Sequence, residues 1–462
     1  MDIFSSEHIL LQEEDSDKLV IYFTDAAARN FAGYKILQPY KVNRLFIKDN
    51  TRNWYNGPIE GLSNDIFDLV ESLKKYTSKF QPENIYCMGG SMGAYAAIVI
   101  GCLIGANNIL AFSPQMMLDT RLPNNPKHEK LLKVKNVYDL LKNNTSLNIS
   151  IFCGSEDLLD IYTCYPSMMY PNIKFICIYG APHNTAGYLK KLGVLDNTIS
   201  YFLNHKEVPD LVLPTLNFPK QNGWHEKLEY AIDSFYSNSI EKALNHFLQL
   251  VSLFPAWSPL YAFISECYIK LKQFSLALDY IERAININDG EDTFYLKKGV
   301  ILINLKEYDT AEESFLKAKE VAEDPMPLHD IKIGSIKAIK GELDDAEKIF
   351  KKLYEKENTN IQLLYQLGLL SIKKSSHKEA INYFSKALNL GDKSPNTLKH
   401  YKTAVIKYSR ESYVRKEYSV AEKILTDFLK YAPNDEQILK ELSCNLIMTE
   451  KINDAINILK EL

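Results

Sequence analysis

The sequence predicts two architectures in one chain, an α/β domain on a mostly parallel sheet and then an all-α solenoid. Three observations carry this. Up to about residue 205, short apolar runs alternate with helical patterns. After about residue 223, no run reads as a strand. In that second half an alanine returns at intervals of about 34 residues.

The strand candidates are KLVIYFTD (18–25), VNRLFIKD (42–49), ENIYCMGG (83–90), NNILAFSP (107–114), NISIFCGS (148–155) and IKFICIYG (173–180). Their apolar runs are near-continuous, as expected where both faces of a sheet are covered. Between them, LSNDIFDLVESLKKYTSKF has helical periodicity, with Ser63 or Asn64 as its cap. The segment AYAAIVIGCLIGA after Gly93 reads as a buried core helix, since it is too short to span a bilayer. Residues 205–223 carry Pro209, Pro214 and Pro219 and read as an extended linker. The expected division is thus 1–204, a linker over 205–223, and a repeat region over 224–462.

Composition narrows the function classes. The chain has 462 residues, enough for two or three domains, and 46% hydrophobic content, ordinary for a globular protein. A net charge of −4 gives no reason to invoke nucleic acid or an anionic membrane. The acidic start MDIFSSEHILLQEEDSD lacks the basic region of a secretory signal. The seven cysteines show no metal or redox spacing, and Cys87, Cys153 and Cys177 fall inside strand candidates as small hydrophobes. The expectation is a cytoplasmic protein without cofactor, metal, membrane span or nucleic-acid partner, its oligomeric state open.

Chemistry concentrates at Ser91, centred in Gly89-x-Ser91-x-Gly93 between a strand and a helix. A serine on such a sharp turn has its hydroxyl exposed as a nucleophile. It then needs a base and an acid to orient that base. His183 directly follows a strand candidate, unlike His8, His128 or His205. Asp157 leaves the preceding strand, and Asp160, one helical turn later, is the alternative acid, with Glu156 a distant third.

The order Ser91, Asp157, His183 and the run Gly89-Gly90-Ser91-Met92-Gly93 resemble an α/β-hydrolase superfamily domain over residues 18–205. The resemblance implies a reduced fold of about six core strands lacking the first antiparallel ones. It also implies an acyl-enzyme on Ser91 and an oxyanion hole from the Met92 N–H with a second donor near Thr24 and Asp25. The loop TDAAARN departs from the family's glycine-rich run there. Trp54 and Tyr55, in RNWYNG after a strand, are candidate substrate walls, with a packed surface loop as the equal alternative. Residues 115–147 are a candidate lid, with packing favoured over a pocket as the role of Met116 and Met117.

In the second half the recurring residues are Ala243, Ala277, Ala311, Ala346, Ala380, Ala421 and Ala455. Four places on come Phe247, Ile281, Phe315, Phe350, Phe384, Leu425 and Leu459. This is similar to the tetratricopeptide repeat, a pair of antiparallel helices, in about seven copies. Pro255, Pro433 and Tyr268 also sit where that family places them. The one stretched interval, Ala380 to Ala421, implies a bulge or a longer helix around Glu411–Val414.

The reading is therefore a serine esterase or acyl-transfer enzyme acting on a small-molecule or glycan ester, with repeats that dock a protein partner. The alternatives are a catalytically inactive hydrolase-like platform serving as an interaction scaffold, and a thioesterase or peptidase with the same triad.

Overall fold

The computed structural model describes residues 6–26, 30–123, 125–211, 213–216, 218–219, 223–322 and 325–461. The chain forms two compact units, Met1–Gln273 with Asn286–Asn288, and Phe274–Ile285 with Asp289–Leu462.

In the first unit, strands β1 (Ile9–Gln12), β2 (Leu19–Phe23), β3 (Asn43–Ile47), β4 (Ile85–Gly90), β5 (Asn108–Phe112), β6 (Asn148–Gly154) and β7 (Ile173–Ile178) form one sheet. Its order is β1-β3-β2-β4-β5-β6-β7, and β1 alone runs antiparallel. All six expected strands are present. The seventh, ILLQ, is an addition, because four residues beside the acidic run EEDSD carry too little apolar signal to be expected as a strand. The order reverses direction between β2 and β4, so a crevice opens at the carboxyl ends of these strands.

The helices of this sheet region are the single turn α1 (Tyr34–Leu37), α2 (Ile66–Thr77), α3 (Met92–Ile104), the single turn α4 (Tyr138–Leu141), α5 (Leu158–Cys164), α6 (Thr185–Lys191) and α7 (Leu195–His205). Asp65, rather than Ser63 or Asn64, caps α2, its carboxylate accepting from the N–H groups of Phe67 and Asp68. Helix α3 is apolar almost all round, with every residue from Met92 to Cys102 buried. In the expected lid, residues 116–118 pair back onto 135–137 and Met116 is fully buried, so Met116 serves packing.

The segment expected as a spacer is tied to the sheet. Leu216 N–H donates to Cys177 O, and Tyr179 N–H to Pro214 O, so the chain runs antiparallel along the β7 edge. Prolines there leave little for another chain to pair with. Helices α8 (Trp224–Tyr236), α9 (Ile240–Leu253) and α10 (Ser258–Lys270) belong to the same unit as the sheet. Phe218 and Trp224 pack on Tyr165 and on each other, and Phe254 and Trp257 pack on that pair, in stacked and edge-on contacts. Trp257 Nε1 donates to Ser155 O at 2.7 Å, and Arg121 reaches Asp233 and Ser237, each at 2.8 Å.

The second unit is built from α11 (Phe274–Ile287) and the helix pairs α12 (Asp292–Leu305) and α13 (Tyr308–Val321), α14 (Pro327–Lys340) and α15 (Leu343–Lys356), and α16 (Ile361–Lys373) and α17 (His377–Asn389). The pairs α18 (Pro395–Val414) with α19 (Tyr418–Leu429) and α20 (Glu436–Met448) with α21 (Ile452–Glu461) complete it. The recurring alanines and aromatics are its core: Ala311, Phe315, Ala346, Phe350, Ala380 and Phe384 are completely buried. Each aromatic lies against a glycine of the preceding helix. A Cβ on Gly299, Gly334 or Gly368 would stand 2.4, 2.4 or 2.6 Å from the ring of Phe315, Phe350 or Phe384. The stretched interval is a longer helix, α18 with 20 residues. It takes in Glu411–Val414 as its last turn, and its seven extra residues add about two whole turns, which keep both helix ends in phase with the other repeats.

Candidate functional site: a serine, histidine and aspartate at the sheet crevice

Ser91 is the residue between β4 and α3, with φ of 51° and its N–H donating to Phe112 O at 2.8 Å. A non-glycine residue at positive φ costs free energy, of order 1–3 kcal/mol, and close packing enforces it here. A Cβ on Gly93 would lie 2.1 Å from Phe23 O, and one on Gly89 2.4 Å from the Gly93 backbone. The two glycines of the motif thus let α3 press onto β2 and β4, whatever the serine does.

His183 sits in the turn after β7, held by Thr185 N–H donating to its carbonyl at 2.8 Å. Its Nε2 is 2.9 Å from Ser91 Oγ, and its Nδ1 is 3.0 and 2.9 Å from the two oxygens of Asp160. The carboxylate on the imidazole is therefore Asp160. Asp157, favoured from the sequence, has its nearest oxygen 3.7 Å from Nδ1. It caps α5 instead, accepting from Leu159 and Asp160 N–H at 2.9 and 3.1 Å. Glu156 is held elsewhere, accepting from Ser258 Oγ and Asn288 Nδ2.

Asp160 is buried, which pushes its carboxyl upward, while its charge pushes His183 up to about 9. The two contacts near 3 Å favour a charged imidazolium beside a carboxylate, while burial opposes charge on either group. The Asp160 carboxylate thus holds the imidazole with its Nε2 toward Ser91 Oγ.

Gln115, expected only as the first residue of a candidate lid, completes the arrangement. Gln115 Nε2 donates to Ser91 Oγ at 3.2 Å, and its Oε1 accepts from Trp54 Nε1 at 3.0 Å. The available signal is a polar residue three places beyond the end of β5, at the carboxyl edge where sites form. Trp54 is buried, and Tyr55 fully so, its hydroxyl donating to Thr24 O and Ile47 O. Neither forms an open wall. Asp49 turns the loop inward by accepting from the N–H groups of Thr51, Asn53 and Tyr55.

Of the expected oxyanion donors, Met92 begins α3 beside Ser91. The Thr24 N–H is engaged by Ile47 O at 2.9 Å, and Thr24 Oγ1 accepts from Ala32 N–H. Asp25 acts on the site through its charge, one of the influences raising His183. Residues 27–29 of TDAAARN lie outside the described residues. Asp157, Asp160 and His183 place ligand atoms within 4.8 Å of one another. Asp160 and His183 are already spent on each other there, which leaves a metal little to bind.

No helix among the described residues is long and apolar enough to cross a membrane. Residues 258–290, 293–325 and 361–390 match the family described as tetratricopeptide repeat. The chain is 25% identical over 150 residues to BBSome complex member BBS4 from Bos taurus, covering 32% of this chain and 28% of that protein. It is 26% identical over 216 residues to Tetratricopeptide repeat protein 21A from Homo sapiens, covering 44% of this chain and 14% of that protein. The chain thus spans less than a third of either relative. Among solved structures, it is similar to TTC0263, a thermophilic TPR protein in Thermus thermophilus, at 18% identity and a TM-score of 0.35, covering 40% of this chain and 99% of that one. PilW, a type IV pilus biogenesis factor, is similar at 15% identity and a TM-score of 0.39, covering 49% of this chain and 99% of that one.

The expectation of a serine esterase is overturned by the relatives, a complex member and a tetratricopeptide repeat protein, which point to a non-enzyme. The chain carries tetratricopeptide repeats for protein interaction, preceded by a mostly parallel sheet domain.

Proposed function

We propose that the protein is an interaction scaffold, whose repeat array grips a segment of a partner protein and whose hydrolase-like domain serves as a platform without turnover. One observation carries the docking half. In the second unit, α12, α14 and α16, the first helices of three successive repeats, line one cavity of about 370 Å³. Its walls are residues at helical spacing: Val300, Ile303 and Asn304 on α12; Lys332, Ser335 and Ile339 on α14; Tyr365, Leu369 and Lys373 on α16. These side chains leave the helix pairs' own core to alanine and phenylalanine, and an extended or helical segment has apolar anchors here with polar groups beside them.

The platform half rests on the serine site. A Gln115 amide already on Ser91 Oγ and a Thr24 N–H committed to β3 both oppose nucleophilic attack. The test is to pan a displayed library of random peptides on the full chain and on Leu369→Asp, with circular dichroism to show that the variant keeps its helices. Enriched peptides should lose binding to Leu369→Asp. Peptides that bind both proteins equally would place docking elsewhere and refute the groove.

A further inference from the structure

Lys332 sets the chemistry of the groove. The charged side chains lining the cavity are Lys332 and Lys373, both cations. Lys373 Nζ donates to Ala338 O at 2.6 Å, fixing its charge against the groove wall. Lys332 is half-buried in a lining it shares with Val300, Ile303, Ser335 and Tyr365, and burial lowers its pKa. Nearby lysines on the same helix differ. Lys337 and Lys340 are each paired with Glu312 and Glu342. The neutral polar groups on the wall, Asn304, Gln362 and Gln366, add amide donors around the cations.

Leaving a cation partly desolvated costs free energy, and a carboxylate brought to it recovers that cost. The apolar lining, Ile303, Ile339, Tyr365 and Leu369, then requires uncharged bulky side chains on either side of that carboxylate. Resting on the docking function proposed above, we infer that the groove takes a partner segment carrying an aspartate or glutamate between apolar residues, its carboxylate against Lys332. A basic or purely apolar segment would leave Lys332 buried without a counter-charge.

The experiment reads the sequences that a displayed random-peptide library yields on the full chain, on Lys332→Gln and on Lys332→Glu. Wild type should enrich acidic residues flanked by apolar ones. Lys332→Gln should lose the acidic bias while keeping the apolar one, and Lys332→Glu should select lysine or arginine at the same position. A synthetic peptide from the wild-type pool should bind at least tenfold more weakly when its acid is replaced by the matching amide. Enrichment with no acidic bias, or the same acidic peptides on Lys332→Gln, would overturn the inference and leave the docking function standing. Enrichment of nothing on any protein would overturn both.

Discussion

His183 Nδ1 meets both oxygens of Asp160 within 3.0 Å, while Asp157, three residues earlier, stands 3.7 Å away and caps a helix. Two carboxylates in one turn thus divide the work. One holds the imidazole, and the other satisfies the N–H groups at the start of α5.

Histidine NMR separates the two. Asp160→Asn should drop the His183 pKa from about 9 toward the ordinary imidazole range, since the Asp160 charge is the largest influence on it. Asp157→Asn should shift it far less. As asparagine also caps helices, Asp157→Ala should instead cost about 1 kcal/mol in chemical denaturation. A large fall in the His183 pKa with Asp157→Asn and none with Asp160→Asn would reverse the assignment.

The same pair sets a pH dependence of stability. His183 has a folded-state pKa raised above its unfolded value, so its contribution is full below about 6.5 and is lost as pH rises through about 9. Thermal unfolding followed across this interval should show a falling melting temperature, with the His183 part of that fall absent from His183→Gln. An identical slope in wild type and His183→Gln would show that another group carries it.

The glycines act through packing. Gly93→Ala would put a methyl group 2.1 Å from Phe23 O, and Gly334→Ala one 2.4 Å from the Phe350 ring. Each should destabilise its own unit by about 1–3 kcal/mol or more. The second clash is with a side chain, so Gly334→Ala combined with Phe350→Leu should recover part of the loss. Denaturant titrations read both. No recovery in the double variant would mean that the glycine acts through the backbone.

Ser91 offers a direct check on the platform. With Gln115 on its hydroxyl and the Thr24 N–H engaged by Ile47 O, the wild-type protein should stay unlabelled by a fluorophosphonate probe at neutral pH. Rapid labelling that Ser91→Ala abolishes would contradict the absence of turnover.

Much of this is legible from residues alone, and what is not has identifiable physical reasons. Continuous apolar runs announce β2 to β7, and the strand-to-helix position of Ser91 follows from them. The choice between Asp157 and Asp160 does not, because both leave the same strand. It depends on which one the helix start recruits as a cap. Tyr55 reads outward from its sequence neighbours, whereas Asp49 gathers three backbone N–H groups and turns it into the core. The glycine facing each repeat aromatic gives a weaker signal than the alanine. The matching positions elsewhere hold Ala231, Ser265 and Ser409, so only smallness is shared.

The most direct measurement of the central claim is calorimetric binding of one library-derived peptide to wild type, Ser91→Ala and Leu369→Asp. The expected result is unchanged affinity for Ser91→Ala and at least tenfold weaker binding for Leu369→Asp. Loss of binding in Ser91→Ala with full affinity in Leu369→Asp would contradict it, moving recognition from the repeat groove to the serine site.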